Sequence, residues 1–338
     1  SKLYRMEQFV DNFPNEEAHL TGEEIHRRLD EIEQIHAIYS PARLGLAAAI
    51  ACCAFTFLLG GGPIEMMLAF IAAGIGNLIR TKLIKHHFTL FLNIAVSISA
   101  SCFIYAALLK IAEMAFNVST IHEAGYICSM LFIIPGFPFI TSGIDLAKLD
   151  LRSGLERLAY AIIIVMVATM FAWIMALLLR LQPMDFEDLN LTPVLHLILR
   201  LIMSFFGVFG FSIMFNSPAP MAATAALIGS IANSLRLELV DLTGMPAPAA
   251  AFAGALTAGL LASFIKQNNG YPRISLTVPS IVIMVPGLYL YRAIYNFGIM
   301  ALSDAVSWFA SAIMIIIALP LGLIFARILT DKTFRYCT

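Results

Sequence analysis

The stretch Ile133-Ile134-Pro135-Gly136-Phe137-Pro138 interrupts a long apolar run with a Pro-Gly pair. A second copy, Met284-Val285-Pro286-Gly287-Leu288, interrupts another apolar run near the end of the sequence. Proline removes a backbone N–H and clashes with the preceding helical turn, and glycine weakens a helix further. Each stretch therefore predicts a helix that is broken near its middle.

The composition is that of a chain surrounded by lipid. It is 60% hydrophobic and 13% charged, with a mean hydropathy of +0.85, which lies beyond the range of soluble domains. The net charge of −1 indicates no nucleic-acid partner. None of the five cysteines falls at metal-ligand spacing, so we interpret them as packing residues. These features predict an all-α polytopic membrane protein.

Apolar runs close to the ~20 residues that cross a bilayer recur ten times. The predicted spans lie at about 44–59, 63–80, 89–109, 124–145, 155–179, 194–215, 218–235, 247–265, 274–297 and 300–325. Ahead of them, Thr21 followed by Glu24 fits a capping box, which predicts an amphipathic helix over about 22–38.

The longest polar interruption between spans divides the chain into two units of five. The expected organisation is an N-terminal cytoplasmic amphipathic segment at 1–43, a first five-helix repeat at 44–181, an external linker at 182–192, a second five-helix repeat at 193–327 and a cytoplasmic tail at 328–338. Three features of the first unit recur in the same order in the second. Asn77-x-x-Arg80 recurs as Asn233-x-x-Arg236 after 156 residues, Pro63 recurs as Pro218 after 155 residues, and the Pro-Gly pair recurs after 151 residues. Nearly constant offsets indicate an internal duplication.

The odd number of spans per unit inserts the second unit upside down. We therefore expect an inverted-topology repeat, with broken helices four and nine meeting at a site near the membrane midplane. One side of the membrane collects Arg27, Arg28, Arg43, Arg80, Lys82, Lys85, Lys148, Arg152, Arg157, Lys266, Arg273, Arg327, Lys332 and Arg335, and the other only Lys110, Arg180 and Arg236. The side with more basic residues is expected to be cytoplasmic by the positive-inside rule, so both termini are expected in the cytoplasm. The expected location is the plasma or inner membrane.

The breaks themselves are the predicted substrate site. The half-helix after a break begins with unpaired N–H groups at the positive end of its dipole, and the half before it ends with unpaired carbonyls. The predicted contacts are Pro135, Gly136, Phe137, Pro138, Pro286, Gly287 and Leu288. A zwitterion would place its carboxylate on the N–H groups and its ammonium on the carbonyls, whereas a dicarboxylate would use both N–H ends. The alternative is a pair of kinked helices that only bend round their neighbours.

Charged side chains inside the spans cost about 2.5–3.5 kcal/mol each on insertion scales, so each indicates a partner or a function. Arg200 is the predicted anion-binding residue, because a guanidinium binds a carboxylate through two hydrogen bonds. The candidates for proton coupling are Glu65, Asp145 and Asp304, since buried carboxyl groups are able to take up protons near neutral pH.

Three further polar residues have two interpretations each. Arg292 is either a coupling or gating group, or the partner of Asp304 in a structural salt bridge. Asn77 and Asn233 either donate to the substrate or tie helix ends together.

The motifs together resemble the threonine/serine exporter family over about residues 20–327. The features that carry the resemblance are Leu59-Gly60-Gly61-Gly62, Ile134-Pro135-Gly136-Phe137-Pro138, Ser153-Gly154-Leu155-x-Arg157 and Val285-Pro286-Gly287-Leu288 with Arg292. The resemblance implies ten spans in two related halves and export of small amino acids, driven by the proton gradient without a cofactor. A related two-subunit system is implicated in succinate export, which makes a dicarboxylate the alternative substrate.

We therefore predict a secondary active exporter of threonine and serine, with a small-molecule substrate and membrane lipid as its partners. An intramembrane enzyme is the hypothesis from another class, and the sequence carries no His-Glu-x-x-His, no Gly-x-Ser-x-Gly and no paired intramembrane Asp motif. Gly- and Ala-rich spans seven and eight permit close packing, either within the chain or between the protomers of a homo-oligomer.

Overall fold

The computed structural model of the chain describes residues 2–13, 20–35, 37–116, 120–183, 185–187, 189–269 and 271–335. The rest of the predicted N-terminal segment, linker and tail, at residues 1, 14–19, 36, 184, 188 and 336–338, lies outside the described residues. Throughout the described ranges the secondary structure is helical, in agreement with the predicted class.

The helices follow one another with short turns. In chain order they are α1 (Lys2–Asn12), α2 (Gly22–Glu33), α3 (Pro41–Leu58), α4 (Pro63–Lys85), α5 (Leu90–Phe116), α6 (Tyr126–Ser129), α7 (Gly136–Ala147), α8 (Leu151–Leu179), α9 (Pro193–Met214), α10 (Ala219–Thr243), α11 (Ala247–Asn269), α12 (Arg273–Val282), α13 (Gly287–Gly298), α14 (Leu302–Thr330) and α15 (Lys332–Arg335). Two short 3₁₀ helices, Thr120–Gly125 and Leu131–Ile133, lie before and after α6.

The N-terminal segment contains two helices, of which only α2 was predicted. The capping box is present, because the Glu24 carboxylate accepts the Thr21 N–H at 2.9 Å and the Thr21 hydroxyl oxygen accepts the Glu24 N–H. The helix ends at Glu33, so the predicted end at 38 was wrong. Ile38 and Tyr39 instead contact the turn after α9, where the Tyr39 hydroxyl donates to the carbonyl of Ser217 at 2.8 Å.

Seven described helices are long and apolar enough to cross a membrane, namely α3, α4, α5, α8, α9, α11 and α14. Two bent pairs, α6 with α7 and α12 with α13, raise the number to nine if each pair is one span. The predicted seventh span corresponds to α10, which is long enough but rich in small and polar residues. It also continues past the predicted end at 235 into charged residues.

The two halves of the chain pack against each other through matching helices. The first long helices of the halves, α3 and α9, approach closely, since a Cβ atom on Gly210 would lie 2.5 Å from the carbonyl oxygen of Ala47. In addition, α7 packs on α14 of the other half, and α13 packs on α8. The helix that follows each Pro-Gly pair is thus held by a long helix of the opposite half.

Candidate functional site

Both predicted breaks are present, and they share one geometry. The helix pairs around them bend by 52° and 47°. Pro135 has φ −81° and ψ 61°, and Pro286 has φ −82° and ψ 55°. The N–H groups of Gly136 and Gly287 each donate to the carbonyl two residues earlier, at 2.8 Å. Each break is therefore an inverse γ-turn, which redirects the chain and starts a new helix at the glycine.

The two breaks lie against each other. A Cβ atom on Gly136 would lie 2.4 Å from a methyl carbon of Val282, which ends the half-helix before the second break. A Cβ atom on Gly287 would lie 2.9 Å from the side chain of Leu131, which precedes the first break. Each glycine thus allows one broken helix to cross the other at short range.

The repeated Asn-x-x-Arg motifs bring a guanidinium to each break. Arg80 Nη1 donates to the carbonyl oxygen of Phe132 at 3.4 Å, and Arg236 Nη1 donates to that of Met284 at 3.5 Å. Phe132 lies in the 3₁₀ helix before the first break and Met284 in the turn that follows α12, so both carbonyls lie just before a break, where helical partners are missing. Sequence analysis used these arginines to orient the spans and to identify the internal repeat but assigned them no role at the breaks, although the repetition of the motif was the signal for a shared role.

The two asparagines of these motifs tie helices together. Asn77 donates to the carbonyl of Leu44 at 2.8 Å and so joins α4 to α3. Asn233 donates to the hydroxyl of Ser204 at 2.8 Å and so joins α10 to α9. Both side chains are buried, and the Asn233 Oδ1 atom has no hydrogen-bond partner among the described residues. The contacts agree with the structural alternative, and a role in substrate binding stays a prediction.

The backbone at the two breaks offers different numbers of donors. At the second break, the N–H groups of Leu288 and Tyr289 donate no hydrogen bond within the described residues. At the first break the same holds for Phe137, but the next residue is Pro138, which has no N–H group. The start of α13 is therefore the better anion-binding end of the two.

A cavity of about 230 Å³ adjoins the second break, and we call it the second-break cavity. Its lining includes Pro286, Gly287, Leu288, Tyr289, Arg236, Arg292, Trp308 and Phe55. The Arg292 guanidinium lies over the Trp308 ring, 4.8 Å from its centre, and donates to Asp185 at 2.7 Å. The lining within the described residues contains two guanidinium groups and no carboxylate, so the cavity favours an anion.

A second, more open cavity of about 570 Å³ adjoins the first break, and we call it the first-break cavity. Phe137 and Pro138 line it together with Glu156 and Arg157 from α8. Arg157 donates to Asp145 at 2.7 Å across the corner between α7 and α8. This lining has charges of both signs, and the predicted coupling residue Asp145 is a half-buried member of an ion pair beside it.

A row of four aromatic rings runs from one cavity to the other. The ring centres lie 6.1 Å apart for Phe55 and Phe211, 6.3 Å for Phe211 and Phe215, and 5.2 Å for Phe215 and Phe137. We call this row the aromatic bridge; its ends line the second-break and first-break cavities, respectively. The gap left between the breaks is about 10 Å³, which holds about one water molecule.

Arg200, the predicted anion-binding residue, is held by two carboxylates of α10. Its Nη1 donates to Glu238 at 2.7 Å, and its Nη2 donates to Asp241. The Arg200 residue is only 8% exposed. In this conformation the guanidinium is engaged within the chain, and binding of substrate by Arg200 stays a prediction.

Glu65 is buried and pairs with a histidine that sequence analysis missed. Its Oε1 lies 2.7 Å from His122 Nδ1, and its Oε2 accepts the N–H of Gly62 at 3.0 Å. The predicted fourth span began at 124, which placed His122 in a loop. The only available signal was that the histidine directly precedes an apolar run.

The predicted alternative of a salt bridge between Arg292 and Asp304 is wrong. Arg292 instead pairs with Asp185 on the connection between α8 and α9. Asp304 is exposed in the first turn of α14, where a carboxylate interacts favourably with the helix dipole. No group of three or more His, Cys, Asp or Glu side chains suited to a metal ion occurs in the part of the chain that the structure describes.

Comparison with known proteins agrees with the resemblance of the motifs. A family profile described as "Putative threonine/serine exporter" matches residues 1–179, and one described as "Threonine/Serine exporter, ThrE" matches residues 200–329. A curated relative, the "Probable succinate transporter subunit YjjP" of Escherichia coli (strain K12), is 28% identical over 153 residues. That match covers 45% of this chain and 57% of the relative, and no solved structure matches. Because the first profile alone spans more than half of the sequence, the chain belongs to the threonine/serine exporter family.

Proposed function

We propose that this protein is a secondary active exporter of threonine and serine that works by alternating access at the two crossed breaks. The observation that carries the proposal is the direct contact between the two breaks, each with a cavity on its own side. A solute site between two broken helices is the arrangement of many secondary transporters. The family supports export across a membrane, and the substrates are those in the family description.

The architecture that we propose is a pair of inverted five-helix units in ten spans, in which α10 is the seventh span along the chain and completes the number of ten. The matching order of helices, the identical turns at the breaks and the reciprocal packing of α7 and α13 support it. The two family profiles also divide near the linker. With both termini in the cytoplasm of a plasma or inner membrane, the first-break cavity faces inward and the second-break cavity faces outward.

The aromatic bridge supplies the barrier in this scheme. Rocking of one unit against the other separates the rings on one side and closes the opposite cavity, so that solute reaches the breaks from one side at a time. Release to the outside passes the second-break cavity, and proton entry down its gradient drives the cycle without a cofactor. The carboxylates proposed for coupling remain Glu65, Asp145 and Asp304, with Arg292 as a gating residue.

A dicarboxylate such as succinate is the second candidate substrate. The charge of the second-break cavity favours it, because Arg236 and Arg292 both line the cavity, together with Leu288 and Tyr289 at the start of α13; Arg292 also pairs with Asp185, so Arg236 contributes most of the charge. An ammonium group would find few acceptors there, since the carbonyls of Val282, Met284 and Val285 already accept hydrogen bonds. The relative that is named as a succinate transporter subunit supports the same candidate, and its description supports assembly of this chain with itself or with another subunit.

Counterflow in proteoliposomes tests the function. Vesicles that contain the purified chain are loaded with unlabelled threonine, serine or succinate, and uptake of the labelled solute is followed. Accumulation of threonine and serine supports the leading proposal, and accumulation of succinate supports the second. The exporter proposal fails if none of the three accumulates above protein-free vesicles.

Two matched variants then decide where the anionic group binds. Arg236→Gln removes a guanidinium from the second-break cavity together with one hydrogen bond to a carbonyl. Arg80→Gln removes the equivalent hydrogen bond at the first break, but Arg80 does not line the second-break cavity, so that variant leaves the lining of the second-break cavity unchanged. We expect Arg236→Gln to raise the KM for succinate more than Arg80→Gln does, and equal effects would contradict the proposed site.

A further inference from the structure

One buried acidic group differs from the other candidates for coupling. Asp145 is ion-paired at a half-exposed corner, and Asp304 is exposed at a helix start. Glu65 is 3% exposed and lies in the first turn of α4, where both carboxylate oxygens have partners. Among the described residues no Lys or Arg pairs with it, so His122 is the group that is able to balance its charge when the imidazole is protonated.

The hydrogen bonds of this pair define where a proton can reside. Gly62 N–H is only a donor, so the Glu65 Oε2 atom must accept. One proton therefore lies between Glu65 Oε1 and His122 Nδ1. While Nε2 is unprotonated this proton stays on Nδ1, because a neutral imidazole must carry one N–H; once Nε2 is protonated, either atom can carry it. His122 Nε2 has no recorded partner in the described part of the chain and is able to take a second proton. That step forms one N–H bond and breaks one O–H bond of the hydronium ion that delivers the proton. It yields an imidazolium, whose Nδ1 proton is then able to pass to Glu65 Oε1.

The burial of the two side chains sets the direction of access. The His122 side chain is 17% exposed, whereas the Glu65 side chain is 4% exposed. A proton thus enters through the imidazole and reaches the carboxylate second. The described titratable groups that face the pair are the Tyr105 hydroxyl on α5, which donates to the His122 carbonyl at 2.7 Å, and the Cys128 thiol on α6.

The pair is joined to both breaks through short segments. His122 lies in the 3₁₀ helix that leads into α6 and the first break. The hydroxyl groups of Tyr126 on α6 and Tyr291 on α13 are buried and hydrogen-bonded at 2.6 Å. Tyr291 directly precedes Arg292, which lines the second-break cavity. A change of charge at His122 therefore acts on the segment that contacts both broken helices.

We infer that Glu65 and His122 together form the site that binds and releases the transported proton, with His122 on the external side of the membrane. This inference rests on the proposed exporter function. It assigns His122 a role that sequence analysis did not consider, and it selects Glu65 from the three proposed carboxylates.

The test uses the full chain in proteoliposomes with an imposed pH gradient. For one-for-one exchange of solute and proton, each pH unit drives about a tenfold accumulation. The variants Glu65→Gln and His122→Gln remove the titratable groups, and the glutamine at 65 keeps an acceptor for the Gly62 N–H. The control is Glu113→Gln, which removes a carboxylate that pairs with Lys110 on α5.

We expect both test variants to keep counterflow, which needs no net proton movement, and to lose the gradient-driven accumulation. The control should keep both. Gradient-driven accumulation at the wild-type level in both test variants would overturn the inference. If Glu65→Gln also loses counterflow, His122→Gln decides, because Glu65 then still caps α4. If the wild type shows counterflow but no accumulation driven by the pH gradient, proton coupling is refuted but export is not. Absence of wild-type counterflow would refute the exporter itself.

Discussion

A single methyl group at the crossing of the breaks should disrupt transport. In Gly136→Ala the new Cβ atom would lie 2.4 Å from Val282 Cγ2 and 3.2 Å from Val285 Cγ2. The backbone at this residue is not left-handed, so alanine is tolerated by the backbone and the effect is steric. Val282 is β-branched within a helix, where its side chain has one strongly preferred rotamer, and it cannot turn away easily.

The size of the effect follows from the overlap. Overpacking of a close-packed site costs about 1–3 kcal/mol. If the crossing re-forms in every cycle, a cost of about 1.4 kcal/mol lowers the rate about tenfold. Gly287→Ala should be milder, because its Cβ atom would lie 2.9 Å from the end of the flexible Leu131 side chain.

The assay is the initial rate of counterflow, with thermal unfolding of the purified variants as a check on folding. The matched control is Gly207→Ala, whose Cβ atom would make ordinary contacts at 3.5 Å to Ile283 and 3.6 Å to Ala54 near the same site. Val282→Ala removes the opposing methyl groups, so the double variant with Gly136→Ala should regain activity. The coupling energy in this cycle should fall within about 0.5–3 kcal/mol.

Two results would refute the steric argument. One is a rate for Gly136→Ala that equals that of the Gly207→Ala control. The other is additivity of Gly136→Ala and Val282→Ala, because independent effects would mean that the two residues do not touch in the transport cycle.

Three further predictions concern other parts of the chain. Tyr126→Phe and Tyr291→Phe should each lower the free energy of unfolding by about 1–3 kcal/mol, since each variant leaves the remaining buried hydroxyl without its partner. In chemical unfolding the double variant should be closer to the wild type, because no hydroxyl is then left unpaired. A double variant with twice the loss would contradict this. Phe211→Ala removes an inner ring of the aromatic bridge and should raise passive leak of solute through the reconstituted protein, and an unchanged leak in flux measurements would count against the barrier. Hydrogen bonds from Ser153 hold the pKa of the Asp150 carboxylate, at the start of α8, below its ordinary value of 3.8. The stabilising effect of this carboxylate is therefore present above pH 3.8 and disappears as the pH falls through the lower pKa of the folded state. Asp150→Asn should remove this part of the acid sensitivity in melting curves, and a pH profile identical to that of the wild type would disprove it.

Local sequence signals predicted the features that depend on a few neighbouring residues. A Pro-Gly pair restricts the backbone at its own position, so both breaks lie where the sequence indicates. The capping box at Thr21 and Glu24 is equally local. Hydropathy located the helices, although most helix ends differ from the predicted ends by a few residues, since the ends depend on turns and contacts beyond the apolar run.

Contacts between distant residues were not predictable in this way. Arg200 and Glu238 are 38 residues apart, and the predicted seventh span stopped before the helix that carries both acidic partners of Arg200 had ended. His122 and Glu65 are 57 residues apart and meet only because the 3₁₀ helix folds back onto α4. The pairing of Arg292 with Asp185 likewise depends on the path of the connection after α8.

The central claim is that the two breaks cross while their cavities open to opposite sides of the membrane. Pro138 and Tyr289 occupy equivalent positions after the two breaks, and each lines its own cavity. In a variant without its five native cysteines, Pro138→Cys and Tyr289→Cys are tested separately with a membrane-impermeant thiol reagent on either side. The account predicts that Tyr289→Cys reacts from the outside and Pro138→Cys from the cytoplasmic side. Labelling of both positions from the same side would contradict it.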